Sequence, residues 1–201
     1  MPTQTDCLND ALGQIGSAPV TAIDDGSTNA NLCLTFYPPL RDSLLRSHHW
    51  NFAMTRVELA LDVTPPLYEF AYAYTLSPDL LKLVDYAGSS TTSTYVTNQD
   101  WRYQAQPAYQ VEGRKLYSND GRALIRYLRR VENPDEWDAM FYQGVTQWMA
   151  SKLALAIRKE PKQAMGLQEL AQNTMAMAMA VDGQENPIQP FVTDTLIWGR
   201  H

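Results

Sequence analysis

Apolar residues recur along this chain first at helical spacing, then at every second position, then at helical spacing again. Leu8, Ala11, Leu12 and Ile15 share one face of a helix expected from about Thr5 to Ile15, with Thr5 as its cap. Gly16 stops it and Pro19 prevents continuation. Asp24-Asp25-Gly26-Ser27 is a turn, and Ser27 can cap a second helix over about Thr28 to His48. Cys33, Phe36, Tyr37, Leu40 and Leu44 form the buried stripe of that helix. Pro38 and Pro39 remove hydrogen bonds to the preceding turn, which predicts a kink or a restart.

The period then changes. Val57, Leu59, Leu61 and Val63 alternate with other residues, as do Tyr68, Phe70, Tyr72 and Tyr74, which predicts strands with one buried face. Leu80 to Tyr86 is a further apolar run, and Ala87 to Asp100 reads as an exposed loop. Tyr109 to Ser118 predicts a hairpin turning at Glu112-Gly113, and Ala123 to Val131 a last strand. Asn133, Pro134 and Glu136 then give the start signal of a third helix: a cap, a proline at the first position and a capping-box partner. Trp137, Met140, Phe141, Gly144, Val145, Trp148 and Met149 line its wide face, and it ends near Lys159. A fourth helix is expected from about Pro161 to Val181, with Leu167, Leu170, Ala171, Thr174 and Ala178 inward. Asp182-Gly183 is expected to end it. The rest, with Pro187 and Pro190, reads as an extended tail whose apolar anchors are Phe191, Leu196, Ile197 and Trp198.

The fold class this predicts is α+β. A helical bundle would come from residues 1–49 and 132–181, a β-strand-rich insertion from 50–131, and an extended C-terminal docking tail from 182–201. At 201 residues the chain can bury a core without disulfides or metal. Cys7 and Cys33, its two cysteines, read as reduced buried thiols, with a Cys7–Cys33 disulfide as the alternative. The net charge is −6, which opposes generic nucleic-acid binding. No apolar run is long enough to span a bilayer, and Met1 to Asp10 lacks the pattern of a signal peptide. No membrane partner is expected.

No motif in the chain carries chemistry. Phosphate-cradling glycine loops, dinucleotide fingerprints and the nucleophile elbow are all missing from the sequence. His48-His49 could serve as a base or metal ligand, but a helix terminus suits imidazole and no i, i+4 partner accompanies them. Asp135, Glu136 and Asp138 could be an acid–base pair, yet a helix's first turn stabilises such charges. Arg122, Arg126, Arg129 and Arg130 form the one basic cluster, and interleaved Tyr127 could stack on a base. The overall acidity favours instead a strand whose arginines make intersubunit or surface ion pairs. Met165, Met175, Met177 and Met179 suit either core packing or a helix-to-helix interface. No cofactor and no catalytic residue are expected.

Several stretches, taken in order, resemble one known family. They are Ala11-Leu12 with Ile15-Gly16 and Pro19-Val20; Arg41-Asp42 with Leu44-Leu45-Arg46; and Trp50-Asn51-Phe52-Ala53, preceded by His48-His49 where the family commonly has His-Pro. Tyr72-Ala73-Tyr74 with Pro78-Asp79-Leu80-Leu81, the Val111-Glu112-Gly113 hairpin, and Arg126-Tyr127 leading to Asp135-Glu136-Trp137-Asp138 and Phe141 continue the series. Over roughly residues 8 to 180 the chain thus resembles the head-to-tail adaptors of short-tailed bacteriophages, also called tail tubular protein A or tail accessory protein. The resemblance implies a structural subunit of a dodecameric ring between the portal protein and the tail nozzle protein. DNA would pass through its lumen without sequence-specific binding. It implies a place in the virion neck, reached from the host cytoplasm during assembly, and a C-terminal tail that docks on the portal. It carries no catalytic residues. Trp50 and Phe52 read as core anchors where helix gives way to strand. A carboxylate-dependent cell-wall hydrolase and a monomeric cytosolic binding module are the alternatives from other classes.

Overall fold

In the computed structural model, residues 2–88 and 109–185 are described. They form a mixed α+β fold with element order α1 (Gln4–Gln14), α2 (Thr28–Ser47), β1 (Met54–Glu58), β2 (Tyr72–Thr75), β3 (Leu80–Ala87), β4 (Tyr109–Glu112), β5 (Lys115–Ser118), β6 (Leu124–Arg129), α3 (Ala139–Leu153) and α4 (Pro161–Glu185). No described helix is long and apolar enough to cross a membrane.

Two of the helix starts differ from the sequence reading. Thr3, not Thr5, caps α1, in a capping box with Asp6. Asn133 makes no side-chain cap, and Pro134–Glu136 is a single 3₁₀ turn. Helix α3 begins instead after Asp138, whose carboxylate accepts from the N–H groups of Met140 (2.8 Å) and Phe141 (3.1 Å). The cause is Trp137. It is buried, donates its indole N–H to the Val131 carbonyl at 3.1 Å, and holds an extended backbone (ψ 151°) that no helix can include. Helix α2 runs unbroken through Pro38 and Pro39.

Helix α3 packs against α1, α2 and α4, and is buried on most of its circumference. Gly144 lets α4 approach, since a Cβ there would lie 2.8 Å from the Met175 sulfur. On α4, Ala171, Thr174, Met175 and Ala178 face inward, whereas Leu170, expected inward, is half exposed. The methionines divide: Met175 is in the core and Met179 packs against it, while Met165 and Met177 are exposed. Cys7 and Cys33 are buried free thiols.

Among the described residues, the middle of the chain makes two three-stranded antiparallel sheets, ordered β1-β6-β3 and β2-β5-β4. The expected hairpin is β4-β5, with Gly113 in the left-handed region its turn needs (φ 57°). The alternation at Val57 to Val63 does not make one strand. β1 stops at Glu58, Leu59 stays bonded beside β6, and Leu61 bridges to Tyr74 in the other sheet. The chain changes sheets there, so Leu59 is buried while Val63 is fully exposed. Strand β6 serves two cores. Leu128 packs among the helices with Trp50, Phe141 and Val145, while Ile125 and Tyr127 pack with Leu59, Tyr74 and Leu116 between the sheets.

Phe141 is the centre of an aromatic cluster, with ring centroids of Trp50, Phe52 and Trp137 at 4.8, 5.2 and 5.2 Å. Replacing it with alanine removes packing from three rings at once, so Phe141→Ala should cost about 3–5 kcal/mol and Phe141→Leu about half that, read from urea unfolding midpoints. A second expectation concerns acid. Hydrogen bonds from the Ser27 hydroxyl and N–H, and from Thr21, hold the Asp25 carboxyl down, from 3.8 to about 2. A depressed carboxyl stabilises the fold above its unfolded value and loses that contribution as pH falls through its folded one. An NMR titration should therefore place the Asp25 midpoint near 2, with the α1–α2 turn loosening only below pH 3.8.

Candidate functional site

Two polar seams join the helices to the strands. The first is built where α2 ends. His48 leaves the helix in extended conformation, and the Trp50 indole N–H donates back to the Leu44 carbonyl at 3.1 Å. This buries Trp50 completely and turns Asn51 toward the last turn of α4. That turn exists because α4 continues through Asp182 and Gly183 to Glu185, past the point where the sequence reading ended it. Asp182 is 7% exposed. Its carboxylate accepts from the Asn51 N–H at 2.9 Å and sits 3.0 Å from His48 Nε2, and its carbonyl accepts from the Asn51 side-chain amide at 2.8 Å. A carboxylate this buried is tolerable because each oxygen has a partner.

The second seam ties α2 to the end of β6. Asp42 receives the Arg41 Nε at 2.9 Å on one oxygen and the Arg130 Nε at 2.9 Å on the other. Arg41 is itself buried, and its guanidinium lies 5.8 Å from the Tyr37 ring centre. The residues that carry the family resemblance, Arg41-Asp42 and Trp50-Asn51-Phe52-Ala53, thus lie together along the helix–strand boundary, where Trp50 anchors the core.

The four arginines of the basic cluster are dispersed over different partners. Arg122 makes a two-pronged pair with Glu58 (2.8 and 2.9 Å), Arg126 lies 3.5 Å from Asp85, Arg129 pairs with Glu136, and Arg130 pairs with Asp42. Each has an acidic partner within the chain. Asp138 is a helix cap and Glu136 an arginine partner, so neither is arranged with the other as an acid–base pair. His49 is held below the usual imidazole value, first by burial and then by the positive charge of Lys82, His48 and Arg126. Among the described residues, no group of three or more His, Cys, Asp or Glu side chains could hold a metal ion. Phe191, Leu196, Ile197 and Trp198 lie outside the described residues.

Sequence reasoning missed Asp182. The signal was present: Ala171, Thr174, Met175, Ala178 and Asp182 repeat at helical spacing, which puts Asp182 on the buried face. The Asp-Gly pair outweighed it. Compared with known proteins, the chain matches no family model and no curated sequence.

Removing the Asp182 carboxylate takes the acceptor at 2.9 Å away from the Asn51 N–H in a buried seam. Asp182→Ala should cost about 2–3 kcal/mol and Asp182→Asn, which keeps one acceptor oxygen, about half that. Amide hydrogen exchange should locate the loss at Asn51 and in the last turn of α4 rather than throughout the helices.

Proposed function

We propose that this chain is a structural head-to-tail adaptor subunit of a short-tailed bacteriophage, assembling as a ring between portal and tail nozzle, and not an enzyme. The observation that carries this reading is the ordered series of motif residues from Ala11 to Phe141, with Arg41-Asp42 through Trp50-Asn51-Phe52-Ala53 as its most distinctive run. Those residues make the boundary between helices and strands, so they set the shape of the subunit rather than a reacting centre. The α+β fold, with strands inserted between helix pairs, is the class that the change of hydrophobic period predicts.

A closed ring needs two different patches per subunit, each fitting the other on the neighbour. Among the exposed apolar residues, two groups lie on separate parts of the chain. Leu170, Met177 and Val181 line a stripe of α4, and Leu61, Val63, Leu67 and Tyr68 crowd the segment between β1 and β2. Such groups are candidates for the two halves of a heterologous contact. Twelve copies at −6 each carry about −72, a field that keeps DNA sliding through the lumen without sticking. Arg122, Arg126, Arg129 and Arg130, each with an acidic partner in the chain, then serve the subunit frame and its contacts with neighbours, not a DNA surface. The C-terminal residues Phe191, Leu196, Ile197 and Trp198 are the proposed anchors on the portal or on the next subunit.

Native mass spectrometry should find the isolated chain mostly monomeric, and adding purified portal rings should convert it to a portal-bound ring of about twelve copies. Stable rings at micromolar concentration without portal would refute template-driven assembly, and no association with portal would refute the adaptor reading itself. Deleting residues 186–201 should leave a folded monomer that no longer binds portal in a pull-down. Unchanged portal affinity would remove the tail from the interface.

A further inference from the structure

Strand β6 places Arg126 directly opposite Arg56 on β1 and beside Asp85 on β3. Opposed residues of an antiparallel pair share one face of the sheet, so two arginine side chains leave the sheet as direct neighbours on the same face. Like charges in that position destabilise a sheet. The available neutralisation is slight. Asp85 is 64% exposed and reaches Arg126 at 3.5 Å, beyond a good charge-assisted hydrogen bond. The Arg126 Nε is buried and has no hydrogen-bond partner, and Arg56, which is exposed, has no acidic partner among the described residues. Lys82 and His49 add positive charge or potential positive charge nearby.

These groups face a cleft of about 670 Å³ between the sheet and the helical layer, lined by His49, Thr55, Arg56, Val84, Arg126 and Glu185. In a chain of net charge −6, an arginine pair this weakly compensated among the described residues is a local conflict in the sheet. A bound anion resolves the conflict. Planar guanidinium forks match the oxygens of a carboxylate or a phosphate group, and two forks can share one such group. Glu185 lines the cleft, and Asp85 and Glu58 line an adjoining pocket that shares Arg56 and Arg126; these acids limit what fits, since a single oxyanion can sit between the arginines but a long polyphosphate would run against them.

We propose that the cleft between the β1-β6-β3 sheet and the helices is a receptor for one oxyanion, a carboxylate or a phosphate group, held between Arg56 and Arg126. This does not rest on the adaptor reading. The site would bind a small anion or the acidic side chain of a partner whatever the chain's larger role.

The test uses the full chain, with arginine Nε–H resonances followed by NMR at constant ionic strength. Inorganic phosphate and acetate are titrated separately against a sodium chloride control. The expected result is a saturable shift at both Arg126 and Arg56, weakened at least tenfold in Arg56→Gln. Asp85→Asn, which removes the internal competitor, should tighten binding several-fold, an effect that loss of structure would not produce. Saturation by phosphate alone, or by acetate alone, supports the site and identifies its source. Shifts that match those of chloride, fail to saturate, or persist unchanged in Arg56→Gln overturn it. A short DNA duplex that binds through these arginines more tightly than free phosphate would overturn the single-oxyanion site.

Discussion

Strand β6 is buried on both sides, and the rest of the structure depends on that. Ile125 and Tyr127 point into the core between the sheets, and Leu128 points the other way, into the helical core beside Trp50 and Phe141. Strand register admits no compromise here, because a slip of one residue would send every side chain to the wrong core. The pairings Met54 with Leu128 and Thr55 with Tyr127 therefore fix β1 as firmly as the hydrogen bonds do. One consequence is that the strand-rich middle is not an appendage. It shares Leu128 and Val131 with the helices, so the bundle is incomplete without it. Another is the position of Arg126. The face that buries Leu128 at one end of β6 must carry residue 126 two positions earlier, where the helices no longer cover the sheet.

Helix α3 is the corresponding hub on the helical side, and the two polar seams set the angle at which the strands meet it. Apolar packing alone is tolerant of small rotations. A carboxylate with two fixed partners is not. Asp182 reads the position of Asn51 and His48 from α4, and Asp42 reads the end of β6 from α2. Buried charge pairs of this kind add little net stability over apolar substitutes, but a wrong arrangement that leaves one member unpaired is costly. The seams therefore select one geometry from among several that the cores alone would permit.

Much of this was legible in the sequence. The change of period from 3.6 to 2 and back located the helices and the strand region, and Glu112-Gly113 located a hairpin. The failures were physical. At the start of α3 two capping signals compete, and the sequence pattern favours Asn133, but burial of Trp137 requires extended backbone and hands the cap to Asp138. Around Val57 to Val63 the alternation is genuine, but alternation does not say which sheet receives a residue, and the chain switches sheets at Leu59 to Leu61. The arginine cluster was visible as a cluster. Its partners were not, since Glu58, Asp42 and Asp85 lie 41 to 88 positions away from the arginines they pair with, and only the sheet register and the α2–β6 packing bring them near. Asp182 was hidden by a short-range rule: Asp-Gly reads as a helix end, yet α4 continues to Glu185 with the Asp182 carboxylate set against Asn51 and His48.

The distribution of charge follows from the same division between local and distant partners. Acidic residues outnumber basic ones by 22 to 16, and four of the arginines are spent on acids of the same chain. Pairing cancels equal numbers of each sign, so what is left over is acidic, and the field outside the molecule carries that excess. On the face of β6, positive charge is concentrated at close range, because Arg126, which reaches Asp85 at 3.5 Å, stands opposite Arg56. A molecule with an acidic far field and one guarded basic cleft repels extended polyanions while admitting a single small one. Selectivity of that kind needs no catalytic group, only a sheet register that two cores hold in place.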